Sequence, residues 1–93
     1  MTFEWDARKA TANFKKRRIA FAEAATVFLD PLAITFLDPG HSLDENREIT
    51  IGYTMKRSLV FVSHCERGER VRITSARSAT RRERNQYEKG IGS

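Results

Sequence analysis

Eight residues, Ser58 to Cys65, carry no charged side chain, the longest such run in the chain. Within it Leu59 and Phe61 alternate with Val60 and Val62. Successive side chains of a strand point to opposite faces, so both faces of this segment are apolar. A strand of that kind belongs inside a sheet with cover on each side. The run is also far short of the roughly twenty apolar residues a membrane helix needs, so no membrane span is expected.

Turns and alternation place further strands around this centre. From Arg47 to Thr54, Ile49, Ile51 and Tyr53 share one face, with Glu48, Thr50, Gly52 and Thr54 on the other. Met55-Lys56-Arg57 reverses the chain into the central run, and Arg67-Gly68 turns it again. Glu69 to Ala76 then sets Val71 and Ile73 against Arg70, Arg72 and Thr74. Leu32 to Leu37 reads as a strand, ended by the turn chemistry of Asp38-Pro39-Gly40, with a loop to about Asn46. Thr2 to Trp5 reads as a short first strand whose Phe3 and Trp5 belong to the core.

Three segments read as helices. Asp6 is a plausible N-cap for Ala7 to about Arg17, with a thin apolar stripe at Ala7, Ala10 and Phe14. A second helix is expected from Phe21 to Leu29, stopped by Asp30-Pro31. The third opens on Thr80-Arg81-Arg82-Glu83, a capping box, and should run from Arg81 to about Lys89 with Gly90 as its stop. Tyr87 is its only bulky anchor, so it packs weakly on its own domain. The order β-α-α-β-β-β-β-α predicts one α+β domain over residues 1–93. Its sheet should be mostly antiparallel, with the two N-terminal helices and the one C-terminal helix on one face.

The charge is uneven, and this is the first functional clue. Residues 1–18 carry net +4, residues 19–65 net −3 and residues 66–93 net +4, for +5 in all. A basic chain of this pattern suits a polyanionic partner. Arg-rich solvated surfaces, and cations placed at the end of a helix such as Lys15-Lys16-Arg17-Arg18, account for part of it equally well. A single cysteine, Cys65, permits no internal disulfide and suits a reducing, cytoplasmic location. The N-terminus has no apolar core of a secretory signal.

Arg70 and Arg72 lie two apart on a strand, roughly 7 Å, near the phosphate repeat of an extended single strand. With Arg67, Arg77, Arg81, Arg82 and Arg84 nearby, they suggest a basic RNA platform on the open sheet face. The chain has no P-loop, G-x-S-x-G, H-E-x-x-H or Cys-x-x-Cys. Asp38, His41, Asp44 and Glu45 share one loop, which reads as a solvated acidic loop more readily than as a metal site. No metal or cofactor is expected. His64, after an apolar strand, fits a half-buried structural role as well as a catalytic one. RNA cleavage remains chemically open. Arg and Lys can stabilise the dianionic intermediate, while a Tyr, a Glu or His64 moves protons.

The chain resembles the BrnT family of bacterial type II toxin–antitoxin toxins over nearly its whole length. The resemblance is carried by Phe3-Glu4-Trp5-Asp6 with Lys9, Asn13 and Lys16, and by Phe21-Ala22-Glu23-Ala24 leading into Val27-Phe28-Leu29-Asp30-Pro31. It continues in His41 and in Arg47-Glu48-Ile49-Thr50-Ile51-Gly52. The most specific part is His64-Cys65-Glu66-Arg67-Gly68, then Arg72 to Thr80, Glu83-Arg84 and Tyr87. The resemblance implies a RelE-like fold and a toxin that cleaves RNA without a metal and inhibits translation. It also implies a ribbon–helix–helix antitoxin that neutralises the toxin, binds it in a hetero-oligomer and contacts operator DNA for the complex.

One departure bears on the chemistry. The family usually reads Lys-His-Gly where this chain has Lys16-Arg17-Arg18, and a guanidinium stays charged where an imidazole would exchange a proton. On this reading Lys16, Arg72 and Arg77 bind or neutralise the scissile phosphate. Glu66, His64 and Tyr87 are the candidates for proton transfer. Lys15, Arg17, Arg18, Arg70 and Arg81 track the RNA backbone. The alternative is an attenuated or non-catalytic binding module acting in an antitoxin–operator complex.

Overall fold

Local chemistry starts and stops the helices. Asp6 Oδ1 accepts the backbone N–H groups of Arg8 (2.8 Å) and Lys9 (3.0 Å), opening helix α1 over Ala7–Arg17. Arg18 ends it in the left-handed region (φ 62°), and its N–H donates to Phe14 O at 2.9 Å. Helix α2 is only Phe21–Ala25, after which the chain tightens into a 3-10 helix over Thr26–Leu29. Thr80 and Glu83 form the reciprocal capping box of α3 (Arg81–Gly92), with Glu83 N–H to Thr80 Oγ1 at 3.1 Å and Thr80 N–H to Glu83 Oε1 at 2.9 Å.

The computed structural model describes residues 1–38, 40 and 46–92. Its strands are β1 (Thr2–Glu4), β2 (Ile34–Leu37), β3 (Arg47–Tyr53), β4 (Leu59–Arg67) and β5 (Arg70–Ser78). They form one sheet in the order β1-β5-β4-β3-β2. The charge-free run is indeed its central strand, flanked by antiparallel β3 and β5.

One sheet face is covered by α1, α2 and the 3-10 helix. Ile19, Phe21, Ala24 and Val27 pack there against Val60, Val62, Ile73 and Ala76. Burying Val60, Val62 and Ile73 contributes about 1.5–3 kcal/mol each. Phe28 bridges Phe3 and His64 on this side, with ring centroids 5.1 and 5.0 Å away.

Several expectations are corrected. The sheet is mixed rather than mostly antiparallel, because β1 runs parallel to β5 (Thr2↔Arg70, Glu4↔Arg72). No local turn records that pairing, since the partners lie at opposite ends of the chain. The element order also differs: the second helix is split by the 3-10 turn, where Thr26 Oγ1 turns back to Glu23 O at 2.6 Å. Nor do all helices share one face. Tyr87 of α3 meets Tyr53 edge-on at 6.1 Å and borders Ile51 and Phe61, so α3 stands on the side away from α1 and α2. The alternation of β3 holds: Gly52 approaches Val27 and Ala33, while Ile51 and Tyr53 face α3. Lastly, α3 continues through Gly90, and Trp5 is 37% exposed rather than core. The loop residues His41, Asp44 and Glu45 lie outside the described residues.

Candidate active site

A β-bulge decides which arginines share a face. Ser63 pairs with Ser75, but His64 pairs with Ile73, leaving Thr74 as the extra residue of β5. Its hydroxyl donates to Ser63 O at 3.2 Å. Before the bulge Val71 and Ile73 face the helices; after it Ala76 does. Strict alternation would turn Arg77 inward with Ile73. The extra residue instead sends Arg77 to the open face, on the same side as Arg70 and Arg72.

Helix α1 reaches that face from the edge. β1 stops pairing at Arg72, so the outer edge of β5 lies bare beyond it. Asn13 covers it: Oδ1 accepts Ala76 N–H at 3.1 Å, and Nδ2 donates to Ile19 O at 3.1 Å. Arg17, one helical turn after Asn13, is carried to the same place. Asn13, Arg17, Ile49, Phe61, Ser63, Ser75, Ala76 and Arg77 then line a pocket of about 130 Å³.

Arg77 is held firmly there. Its Nη1 and Nη2 donate to Glu83 Oε1 (2.8 Å) and Oε2 (2.9 Å), and its Cζ stands 4.3 Å above the centre of the Phe61 ring. The guanidinium pulls the Glu83 carboxyl down to about 2, with help from the Thr80 N–H. Glu83 is therefore an ion at neutral pH and no proton carrier. Pairing with Glu83 raises the Arg77 pKa further, so its charge is permanent.

The other expected site residues scatter. His64 is 3% exposed on the helix side, with Nε2 bonded to Thr50 Oγ1 at 2.7 Å and Nδ1 without a partner. Burial lowers its pKa below 6.5. Tyr87 is buried under α3, its hydroxyl donating to Leu32 O at 2.8 Å, and burial raises its pKa. Glu66 and Arg70 border a hollow at the β4–β5 hairpin end, with Met1 and Glu69. Arg72 and Arg70 both bind Glu4 (2.9 and 3.4 Å), and Arg72 above all lowers that carboxyl's pKa. Lys15 borders a groove between α1 and α2, with Trp5, Phe14 and Phe21. Lys16, Arg18 and Arg81 are exposed and do not line the pocket. Of the eleven residues singled out, the pocket gathers Arg17 and Arg77. Sequence reasoning missed Ser63, Ser75 and Phe61, whose only signal is the register beyond the bulge, which sets Ser63 opposite Ser75 and Phe61 opposite Arg77. Among the described residues, no three His, Cys, Asp or Glu side chains come together as a metal site. Nor is any helix there long and apolar enough to cross a membrane.

The position where the resemblance expects a histidine, Arg17, thus opens onto the same pocket as Arg77. Residues 5–83 match the family model described as the ribonuclease toxin, BrnT, of type II toxin–antitoxin systems. The chain belongs to the BrnT family. Membership assigns it to the ribonuclease toxins and implies an RNA target and an antitoxin partner. Its fold is similar to the crystal structure of the Brucella abortus ribonuclease toxin, BrnT, with a TM-score of 0.70 and 24% identity. That match covers 87% of this chain and 99% of the Brucella chain. No curated protein sequence matches the chain.

Proposed function

We propose that the pocket between α1 and β5 holds the scissile phosphate of RNA, and that the chain cleaves it without a metal. The observation that carries this reading is the convergence of Arg17 and Arg77 on one pocket with the hydroxyls of Ser63 and Ser75. In the reaction the 2′-oxygen bonds to phosphorus, the bond to the 5′-oxygen breaks, and the 2′-hydroxyl proton is replaced by one on the leaving oxygen. The developing dianion meets two guanidinium groups, that of Arg17 and that of Arg77, which Glu83 holds in place, and fixed charge of this kind stabilises a transition state most. Ser63, Ser75 and Asn13 supply hydrogen bonds that orient the phosphate.

Among the described residues, the lining has no carboxylate, imidazole or phenol. Proton transfer therefore falls to solvent, and cleavage is slower than with a histidine at position 17. The same observation supports the second reading, an attenuated module that binds RNA in the antitoxin complex without cutting it. We infer further that cleavage stops translation in the cytoplasm, and that a ribbon–helix–helix antitoxin covers the toxin and carries the operator contact; family membership supports these steps.

Expressing the chain alone, beside its Arg17→His and Arg77→Gln variants, tests the reading. Growth arrest with cut RNA is expected, faster in Arg17→His and absent in Arg77→Gln. Soluble expression of all three with intact RNA would establish the binding module instead.

A further inference from the structure

We propose that Glu83 is a positioning residue for RNA cleavage: it clamps one edge of the Arg77 guanidinium and so aims the other edge at the phosphate. The inference rests on the reading of the pocket as the scissile-phosphate site. A guanidinium offers two forks of paired N–H groups, one end-on through Nη1 and Nη2 and one side-on through Nε and Nη2. Glu83 takes the end-on fork with both oxygens, at 2.8 and 2.9 Å. The second Nη1 proton meets Ser78 O at 3.4 Å. The side-on fork, Nε–H with the remaining Nη2 proton, has no protein acceptor among the described residues. It is a complete bidentate site for an oxyanion.

Two contacts and a short chain connection make this clamp stiff. The guanidinium rests on Phe61, its cross-strand partner. Glu83 is itself fixed by Thr80 N–H at 2.9 Å, because it is the acid of the capping box that begins α3. Thr80 and Arg77 are only three residues apart, so β5, the cap and the helix form one rigid corner. A charged group aimed in advance stabilises a transition state more than a mobile one, which must be ordered during the reaction. The low pKa of Glu83 keeps the clamp ionised throughout the neutral range. The capping box therefore has two duties, starting a helix and orienting an arginine, and one substitution at Thr80 separates them.

The test compares the full-length chain with Arg77→Gln, Glu83→Gln, the double variant and Thr80→Ala. Single-turnover cleavage of a short RNA is measured beside the affinity for the same oligonucleotide carrying 2′-deoxy sugars, which cannot react. Glu83→Gln should slow cleavage about tenfold or more, while affinity holds or rises as an anionic neighbour is lost. The double variant should be no slower than Arg77→Gln, because both remove one unit. Thr80→Ala should lower thermal stability and leave the cleavage rate of the folded protein unchanged. The proposal is overturned if Glu83→Gln cleaves as the parent does while Arg77→Gln fails. It is equally overturned if the two losses multiply, or if Thr80→Ala slows cleavage as much as Glu83→Gln. An inactive parent chain, or an Arg77→Gln variant of full activity, would remove the phosphate site itself and the clamp with it.

Discussion

Replacing Gly52 by alanine should destabilise the domain by about 2–3 kcal/mol, in the upper part of the range for overpacked cores. A β-carbon built on Gly52 would lie 2.9 Å from Val27 Cγ1, 3.0 Å from Ala33 Cβ and 3.2 Å from Asp30 Oδ2. Carbon atoms pack comfortably at roughly 3.5–4.0 Å, so two contacts are too short by about half an ångström or more. None of the three neighbours can step aside easily. Val27 is wholly buried and β-branched, with little rotamer freedom. The Ala33 methyl has no torsion that moves its carbon. Asp30 is tied at both oxygens, to Leu32 N–H at 2.9 Å and Tyr53 N–H at 2.8 Å. Relief requires the 3-10 helix to lift from β3, which opens the core. In a domain of this size each kcal/mol lowers the melting temperature by about 4–8 °C, so a fall of roughly 10–20 °C is expected. Calorimetry or a urea titration measures it directly. A melting temperature within about 2 °C of the parent would refute the account of packing at this contact.

Other expectations follow from the same contacts. Arg18→Gly should stabilise the chain by about 0.5–1 kcal/mol in urea unfolding, because arginine holds a left-handed φ that glycine adopts without strain. His64 favours the neutral form when buried, so the unfolded chain takes up the proton first. The stability His64 contributes is present above pH 6.5 and lost as the pH falls below it. His64→Phe should flatten that part of the pH–stability profile; an unchanged profile would show that another group titrates there. The carboxyl of Glu83, held at about 2, contributes stability above its ordinary 4.5 that disappears as the pH falls from there towards 2. In Glu83→Gln that acid limb should shrink. Cleavage should persist in excess EDTA and weaken steeply with salt; loss of activity in EDTA, restored by a divalent cation, would overturn the metal-independent mechanism.

Much of the architecture was legible in the chain because the interactions that set it are short in sequence. Asp6 and the Thr80–Glu83 box mark helix starts through bonds spanning two or three residues. The two tight reversals specify β3-β4-β5 as neighbours, and the charge-free run specifies which of them is central. The family motifs located the chemistry in the right class, and two of their residues, Asn13 and Arg77, line the pocket. Tertiary structure decided the rest. The parallel union of β1 with β5 joins positions 68 residues apart, such as Thr2 and Arg70. The face taken by α3 depends on Tyr87 finding Tyr53 and Leu32 O. Above all, one extra residue at Thr74 reverses the parity of β5 and brings Arg77 to the pocket that Asn13 opens to Arg17. Residue types and local spacing determine where helices and strands begin. Which side chains meet depends on register and edge capping, free energies that exist only once distant segments are packed.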